Sequence, residues 1–143
     1  MLTNQLSVFI ENKPGRLSAA LDVLAKGGVD ISALSLADTS EYGILRLIVS
    51  DNDKAKAVLK DAGIIVKITP VLAISMNDVP GGLSHILEIF ANNSINVDYT
   101  YAFVGKESGK AITVVKVSDP FAAEAALASG GIDTTDAKDI YRL

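Results

Sequence analysis

Asn12-Lys13-Pro14-Gly15-Arg16-Leu17 returns as Asp78-Val79-Pro80-Gly81-Gly82-Leu83, an offset of 66 residues. At the same spacing Leu21 meets Leu87, Leu24 meets Phe90, Val29 meets Ile95 and Ile31 meets Val97. Farther on, Val49-Ser50-Asp51 matches Val117-Ser118-Asp119 and Gly63-Ile64 matches Gly131-Ile132, now 68 residues apart. One unit has been duplicated, and two residues were added in a loop between the matching blocks. That loop is 40–43 in the first copy and 106–109 in the second.

Outward from the repeated loop, each copy carries a mixed periodicity. Leu6, Val8 and Ile10 alternate with Ser7, Phe9 and Glu11, the period of a strand. Leu17, Ala20, Leu21 and Leu24 fall at i, i+3, i+4 and i+7, which predicts an amphipathic helix over 16–26, stopped by Gly27-Gly28. Residues 29–39 and 43–50 read as strands joined by a hairpin turn. Asp51 can cap a second helix whose inward face is Ala55, Val58, Leu59 and Ala62. A last strand follows over 64–68. The second copy repeats the order with a strand at 71–77, a helix at 82–92, strands at 95–105 and 110–118, and a helix opened by Asp119-Pro120. Its final strand is expected within 137–143.

The order is β-α-β-β-α-β, twice, which predicts an α+β fold. Each unit should be a ferredoxin-like antiparallel four-stranded sheet with both helices on one face. The boundary is placed near Thr69-Pro70, where proline should interrupt strand pairing, giving units 1–70 and 71–143. Each is close to the size at which a core is marginal alone, so the two should depend on packing and self-association.

The repeated loop joins the first strand of a unit to its first helix. Pro14 and Pro80 set φ, and Gly15 and Gly81 let the chain turn sharply into the helix. Free N–H groups and the helix dipole there favour a carboxylate or phosphate. Asn12 or Asp78 can accept from an ammonium on the same ligand, so the combination suits a zwitterionic amino acid. The plain alternative is an ordinary turn in which Asn12 or Asp78 caps the helix.

A β-α-β-β-α-β unit with this strand, Asn/Asp-x-Pro-Gly-x-Leu loop and helix resembles an ACT domain, and the whole chain resembles two ACT domains in tandem. The duplication, the unit length and the entries Gly-Val-Asp-Ile (28–31) and Ser-Ile-Asn-Val (94–97) strengthen the likeness. The resemblance implies domains paired side by side so that their antiparallel sheets join, with amino acids bound where the first loop of one domain meets its neighbour. The ligand-facing positions it implies are Asn12, Gly15, Arg16 and Leu17, with Asp78, Gly81, Gly82 and Leu83 in the second copy. It adds Asp30 and Asn96, which open the second strand of each unit. A further ligand-contacting position, polar in some members, is apolar here at Ile10 and Met76.

Composition narrows the function. With 13 basic and 17 acidic residues the net charge is −4, the wrong balance for a nucleic-acid groove. The chain contains no cysteine, which removes disulfides, a thiol nucleophile and thiolate metal sites. His85 is the sole histidine and cannot make a two-His metal cluster. It is read at the edge of the apolar stripe Leu83, Ile86, Leu87 and Phe90, with a ligand role as the minor reading. No basic, apolar leader opens the chain and no apolar run approaches ~18 residues, so a cytoplasmic protein without membrane contact is expected.

Enzymes of this topology fit poorly. A phosphate-binding acylphosphatase-like loop would want several Arg and Gly, and only Arg16 is present. The strand 43–50 holds no aromatic on which RNA bases could stack. Tyr99, Tyr101 and Phe103 alternate on one strand and would form a contact patch if they lay away from the helices. The leading expectation is a non-enzymatic amino-acid-binding regulator that needs no cofactor and no metal. It would act as a homodimer, or on a regulated enzyme or regulator. The alternative is a constitutive dimerisation or adaptor module that binds a protein partner without a ligand.

Overall fold

The computed structural model describes residues 2–38, 41–104 and 109–134. The final strand expected within 137–143 lies outside them, as do residues 39–40 and 105–108 of the two hairpin turns. The chain folds as two compact units, one of Asn4–Thr69 and the other of Met1–Thr3 with Pro70–Leu143.

The first unit contains β1 (Thr3–Glu11), α1 (Arg16–Lys26), β2 (Ile31–Asp38), β3 (Tyr42–Val49) and α2 (Asn52–Asp61). Its strands run in the order β2-β3-β1-β4, where β4 (Ile65–Asn77) lends its first residues. Both β1 and β2 pair antiparallel with β3. Leu6, Val8, Leu45 and Leu47 leave one sheet face and meet Ala20 and Leu24 of α1 and Ala55 and Leu59 of α2. Burial of each large aliphatic side chain is worth about 1.5–3 kcal/mol. The opposite face of β1 is also buried, at Thr3, Gln5 and Ser7. Its polar atoms are satisfied: Gln5 Nε2 donates to Ser7 Oγ at 3.1 Å, and Ser7 Oγ lies 3.0 Å from Thr69 Oγ1.

Ala62, expected to face inward, is instead the exposed C-cap residue of α2. The helix ends at Asp61 because Gly63 turns with φ 75°, and Ile64 packs on the core in place of Ala62.

The second unit contains the rest of β4, α3 (Gly82–Asn92), β5 (Val97–Ala102), β6 (Lys110–Val117) and α4 (Pro120–Ser129), with strand order β4-β6-β5. Its core joins Leu72, Ile74, Val115 and Val117 of the sheet to Ile86 and Phe90 of α3 and Ala123 and Leu127 of α4. The strands read at 64–68 and 71–77 are one strand, β4. It passes through Pro70 without interruption, since the fixed φ of proline suits extended chain, and pairing with β6 starts at Leu72.

A bulge recurs in both copies. Register shifts between Ile31 and Ala33 in β2 and between Val97 and Tyr99 in β5. Val97 opposes Val117 on the helix side, but Tyr99 opposes Lys116 and Tyr101 opposes Val114 on the other face. The extra residue therefore turns the tyrosines away from the helices. Their rings stack with centroids 6.5 Å apart.

Candidate functional site

Both copies enter their first helix through the same backbone turn. Gly15 and Gly81 occupy the N-cap positions with φ 85° and 87°, the left-handed region that glycine tolerates. Neither helix start receives a side-chain cap. The backbone N–H groups of Asn12 and Asp78 donate to Glu41 O and Gly109 O. In the second copy Gly82 N–H donates to Val79 O and His85 N–H to Gly81 O, leaving the Leu83 and Ser84 amides at the open end of α3.

Gly82 has a steric reason. A Cβ there would stand 2.5 Å from Asn77 O, closer than any side chain tolerates. The loop is thus drawn down onto the start of α3, where the first copy carries Arg16.

Behind this loop lies a cavity of about 620 Å³, within the range of small-ligand pockets, roughly 300–1,000 Å³. Asn77, Gly81, Gly82, His85, Lys110 and Asp133 supply its polar wall, and Met76, Val79, Ile86 and Ile132 its apolar one. Sheet register brings Lys110 here, because β4 and β6 pair Asn77 with Lys110. Lys110 Nζ donates to Asn77 Oδ1 at 2.8 Å, and no carboxylate pairs with it among the described residues. An ammonium held only by a neutral oxygen keeps its charge available to an anion. Asp133 brings the opposite charge to the same wall. A zwitterion can answer both.

The residues expected from sequence fall into two groups. Gly81 and Gly82 line the cavity, while Asp78 and Leu83 flank it on the loop and first turn. Asn96 is engaged elsewhere: its Nδ2 donates to Asp98 Oδ1, and its carbonyl accepts from Ser118 N. In the first copy, Asp30 Oδ1 accepts from Ile31 N, while Ser50 Oγ accepts from Asp30 N. Asn12 lines a smaller cleft of about 400 Å³ with Glu11, Lys13, Glu41 and Tyr42. Gly15, Arg16 and Leu17 do not line that cleft; Leu17 packs on the core.

The first loop settles its own charges. Glu11 lies 3.0 Å from Lys13 Nζ and 3.7 Å from Arg16. The hydrogen bond and charge of Lys13, then the charge of Arg16, hold its carboxyl below the usual value.

Asn77, Lys110 and Asp133 escaped the sequence reading. The signal for Lys110 was the strand pairing that sets it opposite the residue before Asp78. Among the described residues no group of three His, Cys, Asp or Glu gathers to hold a metal, and no helix is long and apolar enough to cross a membrane.

Comparison with known proteins gives the context of this site. A family model described as an ACT domain pair matches residues 1–143. Protein BT0572 from Bacteroides thetaiotaomicron has a similar crystal structure, with 38% identity, a TM-score of 0.92, and 100% of this chain and 98% of that one covered. The regulatory subunits of aspartate kinase from Thermus thermophilus and Thermus flavus are each 14% identical, with TM-scores of 0.62 and 0.60. The first comparison covers 88% of this chain and 90% of its counterpart, the second 90% and 92%. That likeness is one of fold. No curated protein sequence matches significantly. The chain belongs to the ACT domain pair family.

Proposed function

We propose, from the chain's membership of the ACT domain pair family, that it is a non-enzymatic regulatory protein that binds an amino acid behind its second loop. Binding would alter its pairing with itself or with a regulated protein, because a ligand shifts an equilibrium only by its differential affinity for the two states. The observation that carries this reading is the cavity at the start of α3. There Lys110, with its neutral partner, and Asp133 share one wall with the backbone of Gly81 and Gly82. The ligand carboxylate meets Lys110 and the open amides of α3; its ammonium meets Asp133. Asp78 and Leu83 flank it.

A thermal-shift screen of the twenty proteinogenic amino acids at millimolar concentration tests this. At a hundredfold excess over Kd a ligand stabilises the native state by about 2.7 kcal/mol, which raises Tm by several degrees for a chain of this size. The shift should fall to about half or less in Lys110→Ala. If no amino acid moves Tm, the regulator reading fails. The second reading, a constitutive dimerisation module, then gains from Leu34 and Leu36, which β2 leaves 39% and 48% exposed.

A further inference from the structure

The two copies share a backbone turn but not a binding chemistry. At the positions that match by the repeat, His85 is Ala19, Lys110 is Tyr42, Asp133 is Ile65 and Asn77 is Glu11. Strand pairing supports the match, since Glu11 opposes Tyr42 in β3 as Asn77 opposes Lys110 in β6. Every polar side chain that gives the second cavity its ligand chemistry has thus changed class in the first.

The first loop compensates within itself. Its two cations, Lys13 and Arg16, both face the Glu11 carboxylate. Among the described residues, the cleft beside it carries two carboxylates, Glu11 and Glu41, against one ammonium, Lys13, and no residue of α1. A carboxylate ligand there would meet like charge and a missing wall. Exposed ion pairs are individually weak, so it is the absent wall and the second carboxylate, more than the pairs, that close this site.

Among the described residues that line the second cavity, the fixed charges are one ammonium, Lys110, and one carboxylate, Asp133. The two ends of an α-amino acid use both. What remains of the described lining beside His85 is Met76, Val79, Ile86 and Ile132, an apolar surface that offers a charged side chain no counter-ion.

We propose that the chain takes one amino acid per protomer, at the second loop alone, and that this ligand carries an uncharged, apolar side chain. The proposal rests on reading the cavity as an amino-acid site. Calorimetric titration of the full chain with leucine, valine, methionine, lysine and aspartate tests it. One molecule of an apolar amino acid should bind per chain, with lysine and aspartate weaker by at least about tenfold. Lys110→Ala and Asp133→Asn should each lose about tenfold or more in affinity. Glu11→Gln, which removes the carboxylate that Lys13 and Arg16 share, should leave both affinity and stoichiometry unchanged.

Two molecules per chain would overturn the single site, as would loss of binding in Glu11→Gln. Preference for lysine or aspartate would overturn the apolar class while leaving the amino-acid regulator standing. Failure of all five to bind, with a polar or charged proteinogenic amino acid shifting Tm, would do the same. If no amino acid binds, both readings fall together.

Discussion

At the residue scale the duplication is still visible in the backbone where the side chains have changed. Gly28 turns out of α1 with φ 70°, and Ser94 takes the same left-handed turn out of α3 with φ 56°. The hydrogen bonds agree: Gly28 N–H donates to Ala25 O, and Ser94 N–H to Ala91 O. For a residue with a Cβ that conformation costs about 1–2 kcal/mol, and glycine avoids it at some loss of chain entropy. Ser94→Gly should therefore stabilise the protein by about 0.5–1 kcal/mol, seen as a higher urea midpoint at unchanged slope. A midpoint that stays put or falls would mean that the serine conformation is not strained. Gly27-Gly28 announces its turn in the sequence; Ser94 does not, and only its alignment with Gly28 in the repeat reveals it.

Elements differ in how their starts are made. Asp51 and Asp119 sit at the N-caps of α2 and α4, where their side chains accept from Lys54 N and Ala122 N at 3.0 Å. For α1 and α3 a left-handed glycine does that work with no side-chain acceptor. Asp51→Ala and Asp119→Ala should each lower stability by about 1 kcal/mol in denaturant titrations. Asn12→Ala should cost less than about 0.5 kcal/mol, as for an exposed residue without such a role. An Asn12→Ala loss as large as the Asp pair would restore the capping role that sequence allows it.

The helices were legible because periodicity and caps are local. The bulges in β2 and β5, the unbroken run of β4 through Pro70 and the arrival of Lys110 beside Asn77 were not. Each depends on which residue of a neighbouring strand lies opposite, and register is a property of the pair. The candidate site divides along the same line. Its glycine turn could be read from Pro80-Gly81-Gly82, whereas its charges come from strands and loops distant in sequence.

For the whole molecule, the aliphatic bias of the composition resolves, among the described residues, into two cores with no residue in common. Leu24 belongs to one and Ile86 to the other, each essentially without solvent exposure. Truncating Leu24 to Ala should cost about 2–5 kcal/mol, and Ile86→Val about 0.5–1.5 kcal/mol. Substitutions with no shared partners add to within about 0.5 kcal/mol. The double variant, followed by equilibrium urea unfolding, should therefore lose the sum of the two. Ile74→Val combined with Ile86→Val is the control, because both side chains lie in the second core and their losses should depart from additivity. If the pair drawn from separate cores couples as strongly as the pair within one, the duplicated units do not store their stability separately. A ligand held by the second unit would then stiffen the first as well, and the regulatory reach of the second loop would extend over the entire chain.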